Sequence, residues 1–205
     1  MREHARRHPV TAGYLSAVAG LALLMRFVFA DGMSAQVRAS LSTNAANLAD
    51  HPVNAVLGSA FVLDPVGDGL VATALAVVAV LICLGALERE VGPWRAVAVV
   101  LIGHVGAVVV TALVISSGAY PTDLTAVVDV GVGYVAFAAA GAITVLGPVV
   151  LRVPWLALLV AYPLVDAEWF GALPEFAAVG HVVAVLFGLC GGAVAVARAY
   201  AAVGR

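Results

Sequence analysis

The sequence predicts an all-α integral membrane protein, a single domain over residues 1–205 built as a six-helix transmembrane bundle. Hydrophobic residues make up 63% of the chain and charged residues 11%, with a mean hydropathy of +1.09, more apolar surface than a soluble core hides behind a polar shell. The apolar residues fall into six stretches. Because each crossing of a bilayer takes roughly 20 mostly apolar residues, the chain has length for these crossings and short connections, and little else. Charge placement gives the orientation: all ten positive charges are arginines, and eight of them recur at the two ends of the chain and on alternate connections.

The expected spans are residues 11–30, 69–87, 95–116, 127–147, 153–166 and 177–197. Arg2, Arg6 and Arg7 precede the first; Arg89 and Arg95 lie between the second and third, Arg152 between the fourth and fifth, and Arg198 and Arg205 after the sixth. Positive charge near span ends stays cytoplasmic, so both termini are expected inside. Asp31, Asp50, Asp64, Asp68, Asp123, Asp166, Glu168 and Glu175 collect on the other side, with Arg38 and Arg26. A basic start, an apolar run and Val28-Phe29-Ala30 imitate a signal peptide. Arg26 inside the run and the alternation of charge favour a retained first span.

Residues 31–68 form a long outer connection that contains an apolar piece, Val53 to Leu63, entered through His51-Pro52. It is too short to span and is expected as an interfacial or re-entrant helix. The fifth span is short and carries Pro154 and Pro163, with Trp155, Tyr162 and Trp169 as interfacial aromatics. No internal repeat supports an inverted-repeat transporter.

Composition narrows function. With net charge −2 and no lysine, the chain has no basic patch for nucleic acid. Cys83 and Cys190 both sit in apolar stretches, where thiols act as small hydrophobes, and no disulfide is expected. Heavy Ala, Val, Gly and Arg usage points to a GC-rich bacterial gene and a plasma-membrane location. No ligand spacing on one element supports a metal site, and no cofactor is expected.

With the N-terminus inside, the fourth and sixth spans both enter from the outer face. Asp129-Val130-Gly131-Val132-Gly133-Tyr134 opens the fourth and His181 stands at the head of the sixth, so Asp129, Gly133 and His181 should share a depth. Asp129 and Gly133, four apart, would share a helix face. Two readings of Asp129 stand: an N-cap of the fourth helix, or a polar pair with His181 near the hydrocarbon. His104, between Gly103 and Gly106 in the third span, reads as a hydrogen bond to a neighbouring carbonyl or as a functional intramembrane group.

Three sets of residues resemble the rhomboid family across the whole predicted core. Leu84-Gly85-Ala86-Leu87-Glu88-Arg89-Glu90-Val91-Gly92 is similar to that family's span-two ending Leu-Gly-x-x-Glu-x-x-x-Gly. The second set is the glycine-rich head of the fourth span. The third is His181 with Gly188 and Gly192, similar to the family's His-x-x-Gly-x-x-x-Gly-x-x-x-Gly with Ala184 at the first glycine. The resemblance implies a protease site with a span-four serine as nucleophile and a span-six histidine as base. A histidine and an asparagine early in span two would bind the oxyanion.

Here Gly133 occupies the serine position and Tyr134 that of the second glycine, while Gly69 to Ala76 contains neither His nor Asn. Only His181, the base position, is retained. Ser116, Ser117, Thr122 and Thr125 are poorly placed substitutes at the exit of span three and in the loop that follows. The resemblance also implies a structural, hydrogen-bonding role for Glu88 and close packing at Gly188 and Gly192. It therefore implies a rhomboid-like pseudoprotease whose partners are membrane lipids and transmembrane segments of other proteins. An intramembrane protease with an atypical nucleophile and a small ion or solute transporter are the alternatives.

Overall fold

The computed structural model describes residues 8–29, 33–64, 69–120, 127–165 and 167–203, nearly all of them helical. Arg2, Arg6, Arg7, Asp31, Asp68, Thr122, Asp123, Thr125, Asp166 and Arg205 lie outside the described residues.

Helix α1 (Pro9–Phe27) starts with proline at its first position, where the missing N–H costs nothing. Its next two N–H groups find a distant acceptor. Val10 and Thr11 donate to the Glu88 carboxylate at 2.8 and 2.9 Å, and the Thr11 hydroxyl adds a third bond at 2.8 Å. Three short helices follow: α2 (Met33–Leu41), α3 (Ala45–Asp50) and α4 (Pro52–Ser59). Asn44 caps α3 by accepting from the Asn47 N–H at 2.9 Å. Helix α4 covers most of the apolar piece expected at 53–63, and His51-Pro52 opens it.

Helix α5 (Leu70–Ala79) runs through a π-helical turn, Val80–Leu84, into α6 (Gly85–Val91). Gly92, at φ +85°, makes the sharp turn into α7 (Pro93–Ser116). Helix α8 (Gly133–Ile143) is central and almost wholly buried, packed against α5, the π turn, α7 and α10 (Phe176–Val203). Helix α9 (Val149–Val165) is peripheral, with Leu159 its only fully buried residue. A hairpin absent from the sequence reading joins α9 to α10: β1 (Trp169–Phe170) and β2 (Leu173–Pro174) pair antiparallel around Gly171. Tyr120 ties it to the exit of α7 by donating to the Pro174 carbonyl at 2.8 Å. Burial, and after it the Glu168 carboxylate, pushes the Glu175 carboxyl up from its ordinary range.

Among the described residues, four helical runs are long and apolar enough to cross a membrane: Pro9–Phe27, Leu70–Val91, Pro93–Ser116 and Phe176–Ala201. Gly133–Ile143 and Val149–Val165 are shorter apolar helices at the positions of the expected fourth and fifth spans. The fourth differs most from expectation, being helical over 133–143 rather than 127–147. Gly131 at φ +132° breaks the backbone before it, and a turn at Thr144–Leu146 followed by Pro148 ends it. Arg152 then closes the end, donating to the carbonyls of Val145 at 2.9 Å and Gly147 at 3.2 Å. Trp155, expected as an interfacial aromatic, donates to the Ala140 carbonyl at 3.0 Å.

The seam between α8 and α10 is backbone against backbone. A methyl group on Gly188 would run into the Ala138 carbonyl, and one on Gly192 would lie 2.5 Å from the Ala142 oxygen. Ala184, at the first position of that row, is fully buried. Small residues four apart let two helices approach this closely.

Candidate functional site

The head of α8 meets α10 and the outer connection at a small, partly open chamber, in whose lining Asp129, Gly133 and His181 are half-buried. Ten residues line it; Thr43, Ser59, His104, Asp129, Tyr134 and His181 are its polar ones. Its volume is about 30 Å³, room for about two water molecules.

Gly133 and His181 face one another. A methyl group at position 133 would lie 2.5 Å from His181 Nε2, closer than two such atoms approach. The imidazole therefore stands where a side chain on residue 133 would go. Its neighbours are aromatic: Phe137, with ring centres 4.5 Å apart, and Tyr134, edge-on at 5.2 Å.

Asp129 sits differently from either expectation. Helix α8 begins four residues later, with Val132 at the N-cap and no side-chain cap. Asp129 is thus neither its cap nor on its face. Nor does its carboxylate reach His181: it accepts from the Thr43 hydroxyl at 2.8 Å and from the Tyr134 hydroxyl at 3.1 and 3.3 Å. These neutral donors satisfy it in place of an imidazolium, and Tyr134 touches both groups. The backbone explains why the chain is not helical here. Asp129 N–H donates to Ser42 Oγ at 2.8 Å, Thr43 N–H to the Asp129 carbonyl at 2.9 Å, and Gly131 N–H to the Ser59 carbonyl at 3.0 Å. Residues 129–131 are therefore stitched to the outer connection.

His104, 2% exposed, hydrogen-bonds outside its own helix. Its Nε2 lies 2.8 Å from the Val56 carbonyl of α4 and 3.4 Å from Ser59 Oγ. Since a carbonyl only accepts, Nε2 carries the proton there, and Nδ1 is the buried acceptor without a partner.

Chemically, the chamber offers His181 facing a glycine, which brings no hydroxyl to it. The hydroxyls of Thr43 and Tyr134 donate to Asp129, and that of Ser59 to the Val56 carbonyl at 3.2 Å. Ser116 and Ser117 end α7 outside the chamber lining. No group of three or more His, Cys, Asp or Glu side chains placed to hold a metal ion occurs among the described residues. Thr43, Ser59 and the contact of Tyr134 with Gly180 escaped the sequence reading, because their partners are up to 86 positions away and no local spacing marks them.

No curated protein and no solved structure matches the chain. A family model described as "rhomboid-like protein" does match, over residues 3–201. The match takes in α1 to α9, α10 up to residue 201, and both sequence patterns around Glu88 and His181, so the chain belongs to the rhomboid-like family of membrane proteins.

Proposed function

We propose that this protein is a catalytically silent, rhomboid-like membrane protein that binds transmembrane helices of client proteins without cutting them. The observation that carries the reading is the contact of Gly133 with His181: the space beside the base is filled by the imidazole itself, with no nucleophile in it. Catalysis of this type needs nucleophile and base in contact, and removing one member of such a unit costs several orders of magnitude in rate.

In the same reading all six apolar helices contribute crossings. Helix α8, with 11 residues, covers about 16 Å, half a hydrocarbon core of about 30 Å. The extended residues before it and the turn after it complete the crossing, a non-helical path that is tolerated in a membrane only inside protein. Helices α2 to α4 form the interfacial outer layer, the termini are cytoplasmic, and the membrane is a bacterial plasma membrane.

The test is a transmembrane reporter carrying a photocrosslinker, incubated with the purified protein in lipid. Wild type is expected to crosslink it near α5, α9 and α10 and to leave it intact, and His181→Ala to change neither result. Cleavage by wild type that His181→Ala abolishes overturns the reading.

One observation favours a hydrolytic alternative: Ser59 Oγ lies 3.4 Å from His104 Nε2 in the same chamber. Against it, that nitrogen is closer to the Val56 carbonyl and, donating there, has no lone pair for the hydroxyl proton. Cleavage lost in Ser59→Ala but kept in His181→Ala would establish the alternative.

A further inference from the structure

We propose that Tyr134 sets what this site admits. Its ring plugs the notch between α8 and α10 beside His181, so the chamber takes water-sized species and a client helix is held against the outside of the bundle. The plug stands on geometry alone; its consequence for clients rests on the client-binding reading above.

Three observations converge on the ring. Tyr134 is 5% exposed, although it stands only one residue inside the head of its helix. It lies on the bare backbone of α10: a methyl group built on Gly180 would overlap the phenol ring and its hydroxyl. It also stands edge-on to His181, 5.2 Å between ring centres, and 6.0 Å from the ring of His104. The remaining space is about 30 Å³. That holds about two waters, whereas a peptide unit brings a rigid plane of carbonyl, amide and two flanking Cα atoms. A client backbone therefore has no room inside the chamber, beside Gly133 and His181, while the ring is in place.

The hydroxyl latches the plug. It donates to Asp129, and Asp129 is held in turn by the Thr43 hydroxyl and by backbone bonds to Ser42 and Thr43. The outer connection thereby fixes the ring from one side, and Gly180 receives it from the other. The arrangement closes the site a second time, independently of the missing nucleophile. A serine at position 133 would displace the imidazole and still face a filled notch.

Full-length protein in lipid discs, treated near neutral pH with diethyl pyrocarbonate, tests this, because the reagent acylates accessible neutral imidazole nitrogens. His51, exposed at the start of α4, is the internal reference. Wild type is expected to label at His51 and only slowly at His181. His181 is half-buried, and Tyr134→Ala should speed its labelling several-fold, since it uncovers the side of the imidazole on which the ring stands. Tyr134→Phe keeps the ring and should stay close to wild type. Gly180→Ala, which displaces the ring without removing it, should also expose His181, and it keeps the test decisive if Tyr134→Ala does not fold. Labelling of His181 as fast as His51 in wild type overturns the proposal. So does labelling at the wild-type rate in whichever of Tyr134→Ala and Gly180→Ala retain wild-type circular dichroism. Reporter crosslinking is scored separately: its absence beside slow His181 labelling sinks the client reading and leaves the plug standing.

Discussion

Glu88 is 3% exposed, yet its carboxylate has three donors, the N–H groups of Val10 and Thr11 and the Thr11 hydroxyl. A buried carboxylate is tolerable when it is hydrogen-bonded, and here it also meets the positive end of the α1 dipole. Removing it strands those donors in an apolar setting. Glu88→Ala is therefore expected to cost on the order of 3 kcal/mol, more than one unsatisfied group alone, and Glu88→Gln less, because it keeps one acceptor. Thermal unfolding in lipid or detergent measures both, and an unchanged midpoint in Glu88→Ala would refute the role. At this scale the sequence was partly legible. Glu88, Gly133 and His181 could be picked out because their spacings carry a pattern. Asp129 could not be placed: capping preference is a local rule, whereas its real donors are Thr43, far away in sequence, and Tyr134.

The α8–α10 seam was readable as an element because Gly188 and Gly192 keep the four-residue spacing that close helix packing needs. The partner's length was not. Helix α8 stops where Gly131 and Pro148 bound it, but its apolar residues continue past both ends, and hydropathy alone extends the helix through them. The hairpin at residues 169–174 and the π turn at Val80–Leu84 left no periodic signal either. Two glycines separate packing from propensity. Gly188→Ala would press a methyl group into the Ala138 backbone carbonyl, which cannot yield as a side chain can. A methyl group on Gly13 of α1 meets nothing within 4 Å. Gly188→Ala is thus expected to destabilise by about 1–3 kcal/mol or more, as overpacking does, and Gly13→Ala to stabilise by up to about 1 kcal/mol through helix propensity. Equal unfolding midpoints for the two variants would mean that the seam does not hold the bundle together.

Across the whole molecule, the arginines and the helix order make one argument. Arg89 and Arg95 flank the turn at Gly92 between α6 and α7, Arg152 closes the turn between α8 and α9, and Arg198 lies near the end of α10. If every apolar helix contributes a crossing, these turns and the C-terminus share one side, and the hairpin around Gly171 falls on the other, together with α2 to α4. In the proposed topology, positive charge puts the first side in the cytoplasm. Alkaline phosphatase is active only after export and green fluorescent protein fluoresces only when folded inside, so the pair reads the arrangement directly. Fluorescence is expected from a C-terminal fusion and from an insertion at the Gly92 turn, and phosphatase activity from an insertion at Gly171–Ala172. The decisive comparison is between the hairpin and the C-terminus, because α10 alone separates them. Opposite signals mean that α10 crosses and brings His181 in from the outer face. The same signal at both would remove a crossing from the bundle and with it the shared depth of Gly133 and His181 beneath the outer surface.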